Sequence, residues 1–212
     1  NNDAMLLNDS LRLLTNFMDS HKNVGVCTAQ NYDENHNFVP SFDHNKGLRR
    51  LLFGRGFLEK MNPSRFPKRK KEYSQPITAD WLNGAFLFFR AEAFEKVGGF
   101  DTSIFLYWEE MDICHRLRTH GYQSMLVPEA KVMHYQGVST GSSKVINRES
   151  YISYLYVLKK NFGFLKWCCV RLYLTLALLL KPKKWYLIPT VIDPNPLTTS
   201  LKLKQTVRFY EE

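Results

Sequence analysis

Residues 80–134 read DWLNGAFLFFRAEAFEKVGGFDTSIFLYWEEMDICHRLRTHGYQSMLVPEAKVMH. The opening of this stretch is strand-like and dense in aromatics over 79–90. A short helix follows at 91–97 and is stopped by Gly98 and Gly99. A second helix is predicted over 109–121. It carries Glu109, Glu110 and Asp112 at its start and Arg116, Arg118 and His120 near its end, the order that the helix dipole favours, and Gly121 closes it. SMLVP and AKVMHY then read as two short strands around Pro128. Strands alternating with helices in this way predict an α/β chain.

Upstream, residues 9–20 place Leu11, Leu14, Phe17 and Met18 at helical spacing, with Asp9 or Ser10 as the cap. Val24–Thr28 reads as a buried strand, and NYDENHNFVPSFD (31–43) as a hairpin. Residues 45–71 are rich in glycine, proline and cations and predict a mobile loop with one short helix at Arg49–Phe53. Downstream, residues 150–180 are helical in character. Their longest apolar stretch, Leu172–Leu180, falls short of the ~20 residues that a membrane-spanning helix needs. On one continuous helix Lys159, Lys160, Lys166 and Arg171 would share an arc of about 140°. That pattern suits a helix lying on an anionic bilayer, and equally a packed C-terminal helix with its lysines in water. The proline-rich stretch from Lys181 is expected to run extended.

Composition narrows the classes. The chain has 212 residues, 44% hydrophobic and 14% aromatic, which is too apolar for a disordered or low-complexity protein and enough for one core. Four cysteines without CxxC spacing exclude a disulfide framework or a zinc module and suit a reducing compartment. The net charge of +9 is concentrated: residues 45–71 carry ten basic residues and one acidic, and 150–192 carry seven basic and none acidic. The rest is acidic. Two such patches point to an anionic partner, whether nucleic acid, phosphorylated substrate or membrane surface.

Three features could carry chemistry. Glu109, Glu110 and Asp112 lie within four residues and repel one another. They read either as helix N-terminal stabilisation with an Asp112–Arg116 pair at i,i+4, or as a site for a general base. His134 ends a strand before a polar turn, a position that is structural more often than functional. Asp3 precedes the first helix and alone reads as a cap or turn residue.

A resemblance joins them. Residues 79–140 are similar to the C-terminal half of family 2 glycosyltransferases, in particular the rhamnosyltransferase-like enzymes of bacterial polysaccharide assembly. The pattern is a W-x-x-G-A strand, an arginine with a short helix, GGFD, an aromatic turn, an E-D-x-D-L-x-x-R helix, GY, a proline and a strand ending in histidine. NNDAML at the start resembles that subgroup's version of the metal-binding D-x-D segment. The resemblance implies the C-terminal portion of a GT-A domain, an α/β Rossmann-like fold with a mostly parallel sheet, over residues 1–149, and a helical basic appendage over 150–212. It implies inverting sugar transfer from a nucleotide-sugar donor to a lipid-linked or polysaccharide acceptor. Asp3 and His134 would bind Mg²⁺ or Mn²⁺, both hard enough for carboxylate and the latter tolerant of imidazole. Glu110 would be the catalytic base, with Asp112 as the alternative and Glu109 beside them. Glu110 stands where the family has aspartate. Trp81, Gly84, Ala85 and Arg116 would bind substrate.

By the same resemblance, family members carry a nucleotide-binding segment ahead of the metal motif. The chain is therefore expected to be a fragment with an exposed sheet edge and weak donor binding. The expected location is cytoplasmic, peripheral on the inner face of a bacterial cytoplasmic membrane, with no nucleic-acid partner. The rival class is a binding module in which Phe53, Phe57 and Phe66 of the basic segment stack on bases. The sequence holds no RNP, zinc-finger or helix-turn-helix signature that would favour it.

Overall fold

The computed structural model describes residues 3–135 and 143–204. Two compact units divide the chain, residues 1–100 with 110–141 and residues 101–109 with 142–212. The break expected at 149/150 falls inside a helix, because 101–109 joins the C-terminal residues and that unit resumes at 142.

In the first unit the elements run β1 (Ala4–Leu6), α1 (Ser10–Ser20), β2 (Val24–Tyr32), β3 (Phe38–Val39), β4 (Phe42–Asp43), α2 (Leu48–Phe53), α3 (Arg55–Met61), β5 (Ile77–Thr78), β6 (Trp81–Leu82), β7 (Phe88–Phe89), α4 (Ala91–Lys96), α5 (Glu109–Thr119, entered from the second unit) and β8 (Gln123–His134). The fold class is α/β as expected. The spine is the parallel β2–β8 pair, whose register runs from Val24 opposite Gln123 to Tyr32 opposite Met133. Short antiparallel strands flank it. β1 and β5 lie against β8, and β3 and β7 against β2.

Alternation along β2, interrupted by a register shift between Val24 and Val26, builds two cores. Val24, Cys27 and Ala29 pack with Leu14 and Met18 of α1 and with Val127, Ala130 and Val132 of β8. Val26 faces the other way, into Phe42, Leu82, Ala93, Ile113, Cys114 and Leu117. Helices therefore cover both faces of the sheet, α1 on one and α4 with α5 on the other, which is why β2 is buried without interruption from Val24 to Asn31. Cys27 and Cys114 are among the buried groups. Burial pushes their thiols up to about 12 and about 11, so neither is a nucleophile at neutral pH.

Three local expectations change. SMLVP and AKVMHY form one strand rather than two, and Pro128 is accommodated where the register shifts between Ala29 and Gln30 of the partner. The basic segment 45–71 is not one loose loop with a single helix, since it folds as α2 and α3. Four of its five arginines are held by carboxylates: Arg50 by Asp43 (2.9 Å), Arg55 by Glu59 (3.4 Å), Arg65 by Asp80 (2.8 Å) and Arg69 by Asp43 (3.4 Å). Phe66 packs edge-on to the buried His44 at 5.4 Å and is not offered to a base, while Phe53 and Phe57 stack on each other. Lys60, Lys68, Lys70 and Lys71 of the same segment are exposed.

The second unit contains α6 (Lys144–Phe162), α7 (Phe164–Leu179) and α8 (Ile188–Ile192). Asp101 joins it through Lys160 (2.7 Å) and the Tyr156 hydroxyl (2.8 Å). Gly163, at φ +86°, ends α6 and opens α7, so no continuous helix carries the predicted cationic arc. Lys160 is ion-paired and Arg171 donates to the Val191 carbonyl at 2.6 Å. The tail is not extended. It coils into 3₁₀ turns at Pro182–Leu187, Pro196–Thr199 and Leu201–Lys204 on either side of α8 in sequence, and Pro182, Pro189 and Pro196 stand at first helical turns, where the missing N–H costs nothing. Among the described residues no helix is long and apolar enough to cross a membrane.

Candidate active site

The pairing of β1 with β8 sets Ala4 opposite His134. That register puts the Asp3 carboxylate Oδ1 3.4 Å from His134 Nε2, and the Tyr135 N–H donates to the Asp3 carbonyl at 3.0 Å. Both side chains are mostly buried. They stand at the carboxyl end of a parallel strand, where ligands of open α/β sheets bind. A carboxylate and an imidazole at this separation offer two donors to a hard divalent cation. No group of three or more metal-capable side chains occurs among the described residues.

The second cluster is built on the turn after β6. Asn83 N–H donates to the Ser41 carbonyl (2.8 Å), Ala85 N–H to Asn83 Oδ1 (2.9 Å), and the Thr28 hydroxyl to the Phe86 carbonyl (2.6 Å). The turn is therefore fixed on both sides. Its free N–H, that of Gly84, donates to Glu110 Oε1 at 3.1 Å. A Cβ on residue 84 would lie 2.3 Å from that oxygen, so the glycine is what admits the carboxylate. Ala85 is buried in the same turn. Trp81 donates through its indole N–H to the His44 carbonyl (3.1 Å), which pins one edge of the ring.

The three acidic residues have different fates. Asp112 is fully buried and bonds Arg116 (2.8 Å) along its own helix, so it is walled off from any acceptor. Arg116 also donates to the carbonyls of Val97 and Gly99, which ties α5 to the double-glycine turn after α4. These contacts make Arg116 and Asp112 structural. Truncating either is expected to cost about 3–5 kcal/mol, because the other charge is left buried and unpaired. Urea unfolding of Asp112→Ala checks this. A variant of unchanged midpoint with lost substrate affinity would return Arg116 to the binding site. Glu109 is half-buried, with its enclosed Oε2 lacking a hydrogen-bond partner among the described residues, and that partial burial raises its pKa. Two of the three carboxylates are thus met by donors, Asp112 by a guanidinium and Glu110 by a backbone N–H.

The turn into α5 is itself strained. Tyr107 and Trp108 both have left-handed φ, 63° and 72°, which non-glycine residues adopt only where the surroundings enforce it. Trp108 is anchored by Ser150 Oγ (3.0 Å) and the Tyr154 ring (4.7 Å).

Sequence reasoning missed a network beside Trp81. Asp43 lies opposite Trp81 in the β4–β6 pair, and Asp80, Asp43 and Glu59 surround His44, whose pKa burial depresses. Asp80 accepts from the Asn45 N–H (2.9 Å) and pairs with Arg65, Arg118 approaching at 3.7 Å. The only signal available was an aspartate at the edge of each short strand; the pairing that joins them is long-range.

A sequence model of the family described as “Glycosyl transferase family group 2” matches residues 1–193. The chain is 35% identical over 86 residues to N-acetylglucosaminyl-diphospho-decaprenol L-rhamnosyltransferase of Mycobacterium tuberculosis, a match covering 40% of this chain and 28% of that protein. It is 35% identical over 79 residues to rhamnosyltransferase WbbL of Escherichia coli K12, covering 37% and 29%. The matched stretch spans under a third of these relatives' length. A solved structure of GalNAc-T7 with UDP, GalNAc and Mn²⁺ is similar at TM-score 0.46 and 14% identity, over 74% of this chain and 30% of that one.

Proposed function

This chain belongs to glycosyl transferase family group 2, and from that premise we propose that it moves a sugar, rhamnose by analogy with its relatives, from a nucleotide-sugar donor to a lipid-linked or polysaccharide acceptor with inversion at the anomeric carbon. The observation that carries the reading is the Glu110 carboxylate fixed by the Gly84 N–H at the start of α5. One oxygen accepts from the backbone, and the other serves as the base. It takes the proton of the acceptor hydroxyl as that oxygen bonds to the anomeric carbon and the nucleoside diphosphate departs.

Asp3 and His134 would hold a Mg²⁺ or Mn²⁺ ion, which when bound neutralises charge growing on the leaving diphosphate. Trp81 would bound the sugar site with its ring, and the turn at Gly84 and Ala85 would form its floor. Work on a lipid-linked acceptor would place the enzyme on the inner face of the bacterial cytoplasmic membrane.

The test is transfer by the intact protein from a panel of nucleotide sugars to an N-acetylglucosaminyl-diphospho-polyprenol, with the cation removed by chelation and then restored. Transfer restored by Mg²⁺ or Mn²⁺ is expected. Asp3→Asn should raise the cation concentration for half-activation by at least about tenfold. Full transfer in the presence of chelator would remove the metal role from Asp3 and His134.

A further inference from the structure

Helix α7 is apolar on two opposite sides. Trp167, Val170, Leu174 and Leu178 form its buried row. At about 100° per residue Leu165, Leu172, Leu176 and Leu179 fall within about 60° of arc on the other side. There they are 76%, 64%, 56% and 51% exposed. A helix on the surface of a water-soluble domain normally turns polar residues outward; one that is apolar all round has a second apolar environment. The row continues past the helix end through Leu180, also exposed, and stops at Lys181, Pro182, Lys183, Lys184 and Trp185.

The charges around this row identify its occupant. Lys181, Lys183 and Lys184 are exposed and have no ion-pair partner among the described residues, and neither has Lys166 on the flank of α7. No acidic residue occurs anywhere in 150–192. A second copy docked on the leucines would bring lysines together with no carboxylate to meet them. Exposed leucines ending in a lysine cluster with a tryptophan match the layers of a bilayer surface, where acyl chains take the apolar row, anionic headgroups the ammonium groups, and the headgroup boundary the indole. Trp185 is half exposed and its N–H donates to the Leu179 carbonyl, which holds the ring at the end of the row.

We propose that the outer face of α7, with Lys181, Lys183, Lys184 and Trp185, is a docking surface for an anionic lipid bilayer. The face differs from the cationic arc expected from sequence, because Lys160 and Arg171 are engaged internally and Lys159 lies over the Trp167 ring at 4.9 Å. The helix lies along the surface rather than across it.

The experiment is co-sedimentation of the full chain with vesicles of phosphatidylcholine, with and without phosphatidylglycerol. Binding is expected to the anionic vesicles, weakened by salt, with a blue shift of tryptophan emission that Trp185→Phe diminishes. Replacing Lys181, Lys183 and Lys184 with glutamine should weaken binding to anionic vesicles about a hundredfold. Leu172→Asp with Leu176→Asp should abolish it, and because both side chains point away from the core the far-ultraviolet circular dichroism should not change. Unchanged vesicle binding in that double variant overturns the proposal, as does self-association of the native chain that the double variant abolishes. The outcome is independent of the catalytic reading. A protein inactive through Glu110→Gln that still sediments with vesicles keeps the docking surface, and one that fails to sediment while transferring to a soluble acceptor keeps the catalytic assignment.

Discussion

Replacing Glu110 with glutamine will lower turnover by about 10²–10⁴-fold, the contribution of a positioned general base, and leave donor affinity within about twofold. The substitution is chosen for what it preserves. Glutamine has the same reach, and its amide oxygen can still accept the Gly84 N–H that Glu110 Oε1 accepts at 3.1 Å, so the turn over residues 83–86 keeps its geometry. Only proton acceptance is lost. Glu109 supplies the comparison within the same helix. Its side chain is half-buried and that burial raises its pKa, so it is the other candidate for the base. If Glu109→Gln removes turnover and Glu110→Gln does not, the base is Glu109, and the acid limb of the rate profile will sit above the ordinary carboxylate range. If both variants turn over normally, neither glutamate is the base.

What could be read from the sequence divides along the range of the interaction. Helices α1, α4 and α5 declare themselves through leucine and phenylalanine spacing and through glycines that stop them, all within one or two turns of chain. The Asp112–Arg116 pair is an i,i+4 contact and was equally visible. The Asp3–His134 contact depends on β1 laying itself against the far end of β8, which no local pattern encodes; only the family resemblance joined the two residues. The His44 network failed for the same reason, since Asp43 and Trp81 meet through two strands of two residues each. In the C-terminal unit the error was of another kind. Periodicity was summed across Gly163, and a single residue at φ +86° rotates everything after it. Three of the four cations expected on one surface, Lys159, Lys160 and Arg171, are engaged in internal contacts, and the outward side of α7 is carried by its leucines.

Gly84→Ala will reduce turnover by about a hundredfold or more while costing the fold under about 1 kcal/mol. The two halves of that expectation come from one geometry. Residue 84 has no left-handed backbone angle to protect, so alanine meets no conformational penalty there. The obstacle is contact alone, because a Cβ would stand 2.3 Å from Glu110 Oε1 and 3.0 Å from its Cδ. Those atoms are the far end of a flexible side chain, which swings away cheaply. Swinging away, however, breaks the hydrogen bond to the Gly84 N–H and moves the carboxylate by an ångström or so, and displacement on that scale at a reacting group is worth about 10² in rate. Glu110→Asp in the Gly84→Ala background tests the cause. The aspartate is one methylene shorter, so it clears the new methyl group and should restore part of the turnover lost in the single variant. On native Gly84 the same Glu110→Asp change withdraws the carboxylate from its backbone donor and should lower turnover. A favourable coupling of this sign in the double-mutant cycle is the signature of a base positioned by residue 84. Strictly additive losses would mean that Gly84 acts on something other than Glu110.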